Sequence, residues 1–139
     1  MIYGNVSGVK NSILNKLEAV CEIRLSKDCI LSEELVEVLV QVTKDLDREV
    51  SAAIDRKGNI ISVAIGDSST VELPIIDIRE GRLSGVKIIH THPNGNSRLS
   101  ALDMSALLKL KLDCIVAIGI KENQSLKYNV GFCGIENNI

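Results

Sequence analysis

The spacing of apolar residues predicts two helices in the first third of the chain. Between residues 8 and 20 apolar side chains recur every three or four positions, a pattern typical of an amphipathic helix. A second helix is predicted to begin after Ser32, because serine is a good N-cap and acidic Glu33 and Glu34 suit the positive end of the helix dipole. Its apolar face comprises Leu35, Val36, Val38, Leu39, Val40, Val42 and Leu46.

Shorter apolar runs in the rest of the chain predict strands. Residues 49–55 and 59–66 flank a turn that contains Gly58, which predicts a β-hairpin. The later segments are predicted to be extended at 69–78, with Pro74 at an edge or bulge, extended at 85–92, helical at 100–112, and extended at 113–120 and 126–135. From Glu49 to Ile120 the order is β-β-β-β-α-β, which predicts an α/β (α+β) fold with a mixed β-sheet flanked by helices.

The composition is that of one ordinary globular domain. A chain of 139 residues can bury its own core, and we divide it into an N-terminal helical part at 1–47 and a sheet core at 48–135. The net charge of −2, without a Lys/Arg cluster, predicts no direct nucleic-acid surface. Apolar runs are too short for a membrane span and no signal-peptide pattern opens the chain, so a cytoplasmic location is expected. The mostly polar residues 136–139 suggest a natural chain that continues further.

The cysteines at positions 21, 29, 114 and 133 form no C-x-x-C pair. Disulfides are typical of secreted proteins, and no secretory signal is present. We therefore expect reduced, buried thiols without a functional role.

Both histidines of the chain stand at the end of one predicted strand. Side chains at positions i and i+2 of a strand share a face, so His90 and His92 are expected to project in parallel, with Pro93 stopping further pairing. Asp103, on the helix that follows, supplies a third ligand. Two imidazoles and one carboxylate leave a fourth tetrahedral position open for water, the arrangement of a hydrolytic zinc centre, although these ligand types also fit iron or manganese.

Each part of this pattern also has a purely structural interpretation. Ser100 and Asp103 have the spacing of a capping box, and a histidine pair at a strand end can arise by chance. The combination of both features in one strand–loop–helix segment favours a metal site. Capping and metal binding are compatible, because a cap fixes the start of the helix and so the direction of the carboxylate.

The segment 90–103 resembles the JAMM motif of the JAB/MPN metalloprotease superfamily. That motif reads H-x-H, seven residues, S, two residues, D, and the chain fills it with His90, His92, Ser100 and Asp103 at unbroken spacing. It is also similar to the RadC-type branch, and the resemblance covers roughly residues 45–135. It implies the JAB/MPN (cytidine-deaminase-like) architecture, a zinc ion held by His90, His92 and Asp103, and assistance from Ser100 to the developing oxyanion.

The resemblance further implies a glutamate on an early strand as general base, and Glu49 occupies the matching place. A carboxylate beside a zinc-bound water can accept its proton. The alternative for Glu49 is a solvated charge within the polar stretch 45–50. Glu72 and Glu80 are weaker candidates, because neither precedes a strand in the matching order.

Across its whole length the chain resembles the N-terminal extension of clostridial HflX-type GTPases, on segments 1–14, 47–70 and 83–96. No P-loop is present, so GTP and magnesium are expected only in the full-length protein, through which the ribosome becomes a partner. Three functions stay open: a zinc-dependent peptidase or isopeptidase acting on a peptide or protein, a non-catalytic regulatory or binding module of such a GTP-binding protein, and a relic of the fold with a vacant site.

Overall fold

The structure is a computed structural model that describes residues 2–26, 32–67, 85–95, 97–109, 112–120 and 126–132. In this part of the chain, six strands form one mixed sheet and three helices pack on it. The strands are β1 (Ile2–Gly4), β2 (Val50–Ile54), β3 (Ile60–Ile65), β4 (Lys87–His92), β5 (Cys114–Ile120) and β6 (Leu126–Phe132). The helices are α1 (Asn11–Val20), α2 (Glu33–Leu46) and α3 (Ala101–Lys109). The predicted α+β class with a mixed sheet is confirmed.

The strand order β1-β3-β2-β4-β5-β6 determines which strand ends meet. Strand β2 runs antiparallel to both β3 and β4, whereas β4 and β5 are parallel and connected through α3. The beginning of β2 therefore lies beside the end of β4, close to where α3 begins. The predicted site residues come from these three places.

The two N-terminal helices form largely as their sequence predicts. The Ser32 side chain accepts the Leu35 N–H at 3.4 Å, and α2 ends at Asp47, which adopts the left-handed conformation with φ 53°. Helix α1 begins at Asn11 rather than residue 8, because Gly8 has φ +73° and Lys10 is extended. The predicted apolar face of α2 lies in the core or packs against it.

Apolar side chains cover both faces of the sheet. One buried cluster joins α1 and α2 to the sheet through residues such as Leu39 and Ile89. The second cluster joins α3 to the opposite face through Leu107 and Ile88. Strand β4 thus sends neighbouring side chains to different helices, as the alternation of a strand requires.

The remaining predicted elements have mixed outcomes. The hairpin is confirmed, with Gly58 at φ +88° in a turn where an added Cβ would overlap the Leu25 carbonyl oxygen. The strands predicted at 85–92, 113–120 and 126–135 and the helix at 100–112 form over the bounds given above. Residues 110, 111 and 133–135 of these predictions lie outside the described residues. The extended segment at 69–78 lies outside the described residues. No pattern predicts β1, whose three residues pair in parallel with the distant β3.

Two of the cysteines lie in the described ranges, and neither forms a disulfide there. Cys114 is buried, and burial raises the pKa of its thiol to about 11. Cys21 is half-buried, and Cys29 and Cys133 lie outside the described residues. None of the helices described is long and apolar enough to cross a membrane.

Candidate metal and catalytic site

The two histidines project from the end of β4 to the same face of the sheet. By strand alternation, both histidines lie on the same face of the sheet as Ile88, which packs in the α3 cluster. Thr91 lies on the opposite face, together with Ile89. The imidazole rings meet edge to face, with centroids 4.7 Å apart and planes inclined by 73°. His90 is buried and His92 is half-buried. Both side chains therefore leave the strand on one face, as their spacing predicts.

Asp103 approaches this pair from the first turn of α3. Its Oδ2 lies 3.2 Å from His90 Nε2 and accepts the Ser100 N–H at 2.8 Å. In return the Ser100 hydroxyl oxygen accepts the Asp103 N–H at 3.0 Å, which completes a capping box. The capping box expected from the spacing is therefore present, and it directs the Asp103 carboxylate toward His90.

Glu49 lies on the other side of the histidines. Ser51 pairs with His90, so two residues further along the antiparallel register Glu49 comes opposite His92. Its N–H donates to the Asp67 carbonyl at 2.7 Å and its carbonyl accepts the Gly66 N–H at 2.8 Å, which continues the hairpin ladder. Only 6% of Glu49 is exposed, so the alternative of a solvated charge is wrong. The weaker candidates Glu72 and Glu80 lie outside the described residues.

Glu49, His90 and His92 bring one ligand atom each to within 4.8 Å of one another. Glu49 Oε1 lies 3.9 Å from His92 Nε2. Ligand atoms around a tetrahedral zinc ion lie about 3.3 Å apart, as follows from metal–ligand bonds of about 2.0–2.1 Å. Modest side-chain rotation therefore suffices for an ion shared by Glu49, His90 and His92. Asp103, the ligand predicted from the sequence, contacts His90 but is not among the three residues whose ligand atoms cluster in this way. Imidazole and carboxylate donors suit zinc.

The environment shifts the two carboxyl groups in opposite directions. Burial raises the pKa of Glu49 to about 7; the charge of His90 opposes this rise, and the charges of Asp103 and Asp67 add to it. Burial also acts to raise the pKa of Asp103, but hydrogen bonding and charge from His90, with the two Ser100 bonds, outweigh it and lower that pKa to about 2. One carboxyl group is therefore firmly ionised while the other can exchange a proton near neutral pH.

One polar atom in the cluster lacks a partner. Nδ1 of His90 is buried and has no hydrogen bond among the described residues. Such an atom costs stability, and functional sites are where this cost is commonly tolerated. Together with the buried Glu49 carboxylate, it marks the end of β4 as a place arranged for something other than folding.

Gly119 is a positioning residue that the sequence pattern does not reveal. It pairs with His92 across β4 and β5, and the loop after His92 folds back over it. A Cβ at Gly119 would lie 2.6 Å from the Gly95 carbonyl oxygen and 2.8 Å from the Ser97 backbone nitrogen. The missing side chain therefore makes room for the loop that joins the histidines to Asp103.

Replacing Gly119 with Ala is expected to displace this loop and weaken metal binding about tenfold, comparable with the loss of an outer contact of a metal site. Overpacking against backbone is expected to lower the free energy of unfolding by about 1–3 kcal/mol. Zinc affinity by chelator competition and urea unfolding measure the two effects. Ile118→Val, which faces the α1/α2 cluster, is the matched control with similar destabilisation and unchanged affinity. Equal affinity in Gly119→Ala and Ile118→Val contradicts the positioning role.

Comparisons of the chain with protein-family models, with curated proteins and with solved structures find no match. The class defined by the fold and the site is therefore an α+β domain with a buried histidine–carboxylate cluster at the end of a central strand.

Proposed function

We propose that the chain is a JAMM-type metal-binding domain of JAB/MPN architecture that acts in the cytoplasm as a zinc-dependent peptidase or isopeptidase. The observation that supports this most is the clustering of Glu49, His90 and His92 at one strand end, with Asp103 in contact with His90. Glu49 and His90 are buried, and His92 and Asp103 are half-buried. An arrangement made only for folding has no need of two carboxylates and two imidazoles in one place.

Asp103 is the third metal ligand in this proposal, and Glu49 is the general base. The Asp103 carboxylate is held by the Ser100 N–H and by His90, so its position is fixed in advance. Glu49 lies close enough to both histidines to be a ligand, so its assignment as the base rests on the JAMM resemblance. Asp103 alone among the candidates is both rigid and directed at His90.

Zinc, held by His90, His92 and Asp103, would supply Lewis acidity that polarises the scissile carbonyl and activates water. Glu49 accepts a proton from the attacking water at its carboxylate and returns it to the leaving amine. The Ser100 hydroxyl, whose oxygen accepts the Asp103 N–H, is the group assigned to the developing oxyanion. The capping box holds Ser100 and Asp103 at a fixed separation during these steps.

Metal analysis of protein purified without added zinc, compared with the His92→Ala variant, tests the proposal. About one equivalent of zinc is expected in the unaltered chain and far less in the variant, because one of three protein ligands is lost. Peptide and isopeptide libraries then test for cleavage. Negligible metal in both proteins refutes the proposal, whatever the libraries show.

The second proposal is a non-catalytic regulatory or binding module of a ribosome-associated, HflX-like GTP-binding protein, with GTP and magnesium bound elsewhere in that protein. Its support is the resemblance of segments 1–14, 47–70 and 83–96. Co-sedimentation with ribosomes tests it, using this chain alone and the chain joined to a GTPase domain. Binding only by the longer protein means that this domain is not the ribosome anchor.

A further inference from the structure

Thr91 stands between the two histidines but points to the opposite face of the sheet, toward α2. Its side chain is fully buried, as is that of Thr43 in α2. The two hydroxyl oxygens lie 2.6 Å apart. This polar contact is unusual on a face otherwise packed with aliphatic side chains, so its role requires an explanation.

The Thr91 hydroxyl continues the β2–β4 pairing beyond the point where the backbone pairing ends. The last paired residues are Ser51 and His90. At the next position the Val50 N–H donates to Thr91 Oγ1 at 3.0 Å, and the Val50 carbonyl oxygen lies 3.3 Å from the same atom. A side chain thus makes the contact that the strand backbone would otherwise make.

The four polar groups form one chain of hydrogen bonds with a consistent direction. The Val50 N–H donates to Thr91, the Thr91 hydroxyl donates to Thr43, and the Thr43 hydroxyl donates to the Leu39 carbonyl at 2.7 Å. Each hydroxyl then donates once and accepts once, as buried groups should. The start of β2 is therefore tied through β4 to the body of α2.

We propose that Thr91 is a positioning residue for the site, because its hydroxyl holds Val50, and hence the neighbouring Glu49, against the strand that carries His90 and His92. The inference rests on the proposed function for its chemical meaning. Without this hydroxyl the start of β2 is free to move away from β4, and the 3.9 Å separation of Glu49 from His92 is no longer fixed. The loss of an outer-shell contact of a metal site commonly lowers affinity or activity about 10–100-fold.

Three variants test the proposal. Thr91→Val removes the hydroxyl with little change of shape, Thr91→Ser retains it, and Thr43→Val removes only the far partner. Because Glu49 is the base and not a ligand in this proposal, we expect hydrolysis under saturating zinc to fall about tenfold or more in Thr91→Val and to stay within about threefold in Thr91→Ser. Zinc affinity, measured by chelator competition, should change by less than hydrolysis in both variants.

A second readout needs no metal. The chain has only two histidines, so imidazole ¹H–¹⁵N spectra of the metal-free protein report directly on the site. Shifted imidazole signals in Thr91→Val, with signals like those of the unaltered protein in Thr91→Ser, support the positioning role. Unchanged hydrolysis and unchanged imidazole signals in a folded Thr91→Val protein overturn it.

Two other outcomes can be told apart from a wrong inference: a Thr91→Val variant that does not fold, and an unaltered protein that binds no zinc. If Thr91→Val does not fold, Thr43→Val decides, since it keeps the Val50 contact and should shift the same imidazole signals in the same direction to a smaller extent. Unchanged signals there overturn the inference. If the unaltered protein binds no zinc, the proposed function fails, and the metal-free spectra still decide whether Thr91 positions the site.

Discussion

Replacing Asp103 with Asn is expected to lower zinc affinity by about 100-fold or more, whereas Glu49→Gln keeps the affinity within about tenfold and reduces hydrolysis by about 10²–10⁴-fold. The difference follows from the proposed roles. A ligand carboxylate contributes charge directly to the metal, while a general base contacts the water. Isothermal titration with zinc and a cleavage assay under saturating zinc measure the two quantities separately.

The capping box requires its own control, because Asp103 also stabilises the start of α3. Asparagine can still accept the Ser100 N–H, so Asp103→Asn should retain the helix start. Ser100→Ala removes the hydroxyl that caps Asp103 and is expected to cost about 1 kcal/mol of stability with nearly unchanged zinc affinity. A large loss of affinity in Ser100→Ala would mean that helix fraying, rather than ligand loss, explains the asparagine variant.

The opposite effects of the two variants on zinc affinity would identify Glu49 as the third ligand. Glu49, His90 and His92 form the tightest cluster of ligand atoms, so Glu49 is the rival third ligand. If Glu49→Gln loses zinc while Asp103→Asn retains it, the roles proposed here are contradicted. Glu49 is then the third ligand, and Asp103 is not.

Without metal, Glu49→Gln is expected to stabilise the protein at pH 8, by about 2–3 kcal/mol in the free energy of unfolding. Burial raises the pKa of Glu49 from its ordinary value of 4.5 to about 7 in the folded state. Below pH 4.5 the group is protonated both folded and unfolded. As pH rises through 7, the folded protein must accept a buried charge, and stability is lost. Glutamine carries no such charge.

Denaturant unfolding of the metal-free proteins at pH 4, 6 and 8 checks this prediction. The advantage of Glu49→Gln should be smallest at pH 4 and largest at pH 8, with exposed Glu37→Gln as the control that shows no such trend. Asp103 should behave with the opposite sign, because its pKa is lowered to about 2 and its stabilisation disappears only as pH falls below about 4. An advantage of Glu49→Gln that is independent of pH would contradict the buried-charge explanation.

Local signals account for the parts of the molecule that could be predicted. Helix α2 follows from its cap and apolar face, and the histidine pair follows from strand alternation, because all of these depend on residues close together in sequence. Ser100 and Asp103 are also local, and their reciprocal bonds match the capping box expected from their spacing.

The parts that could not be predicted depend on distant residues. Whether Glu49 is solvated or buried is decided by pairing with Gly66 and Asp67 and by the register of β2 on β4. Gly119 matters only because a loop from another strand folds over it, and Thr91 only because Thr43 of α2 lies behind it. Strand β1 is too short to show a pattern and is stabilised by parallel pairing with β3.

The most direct test of the metal centre is a crystal structure of the zinc-loaded protein with anomalous diffraction recorded at the zinc edge. We expect one strong peak within about 2.0–2.2 Å of a nitrogen of His90, a nitrogen of His92 and an oxygen of Asp103, with the Glu49 carboxylate outside bonding distance. A zinc peak elsewhere on the molecule, or none at the end of β4 under saturating zinc, contradicts the proposed centre.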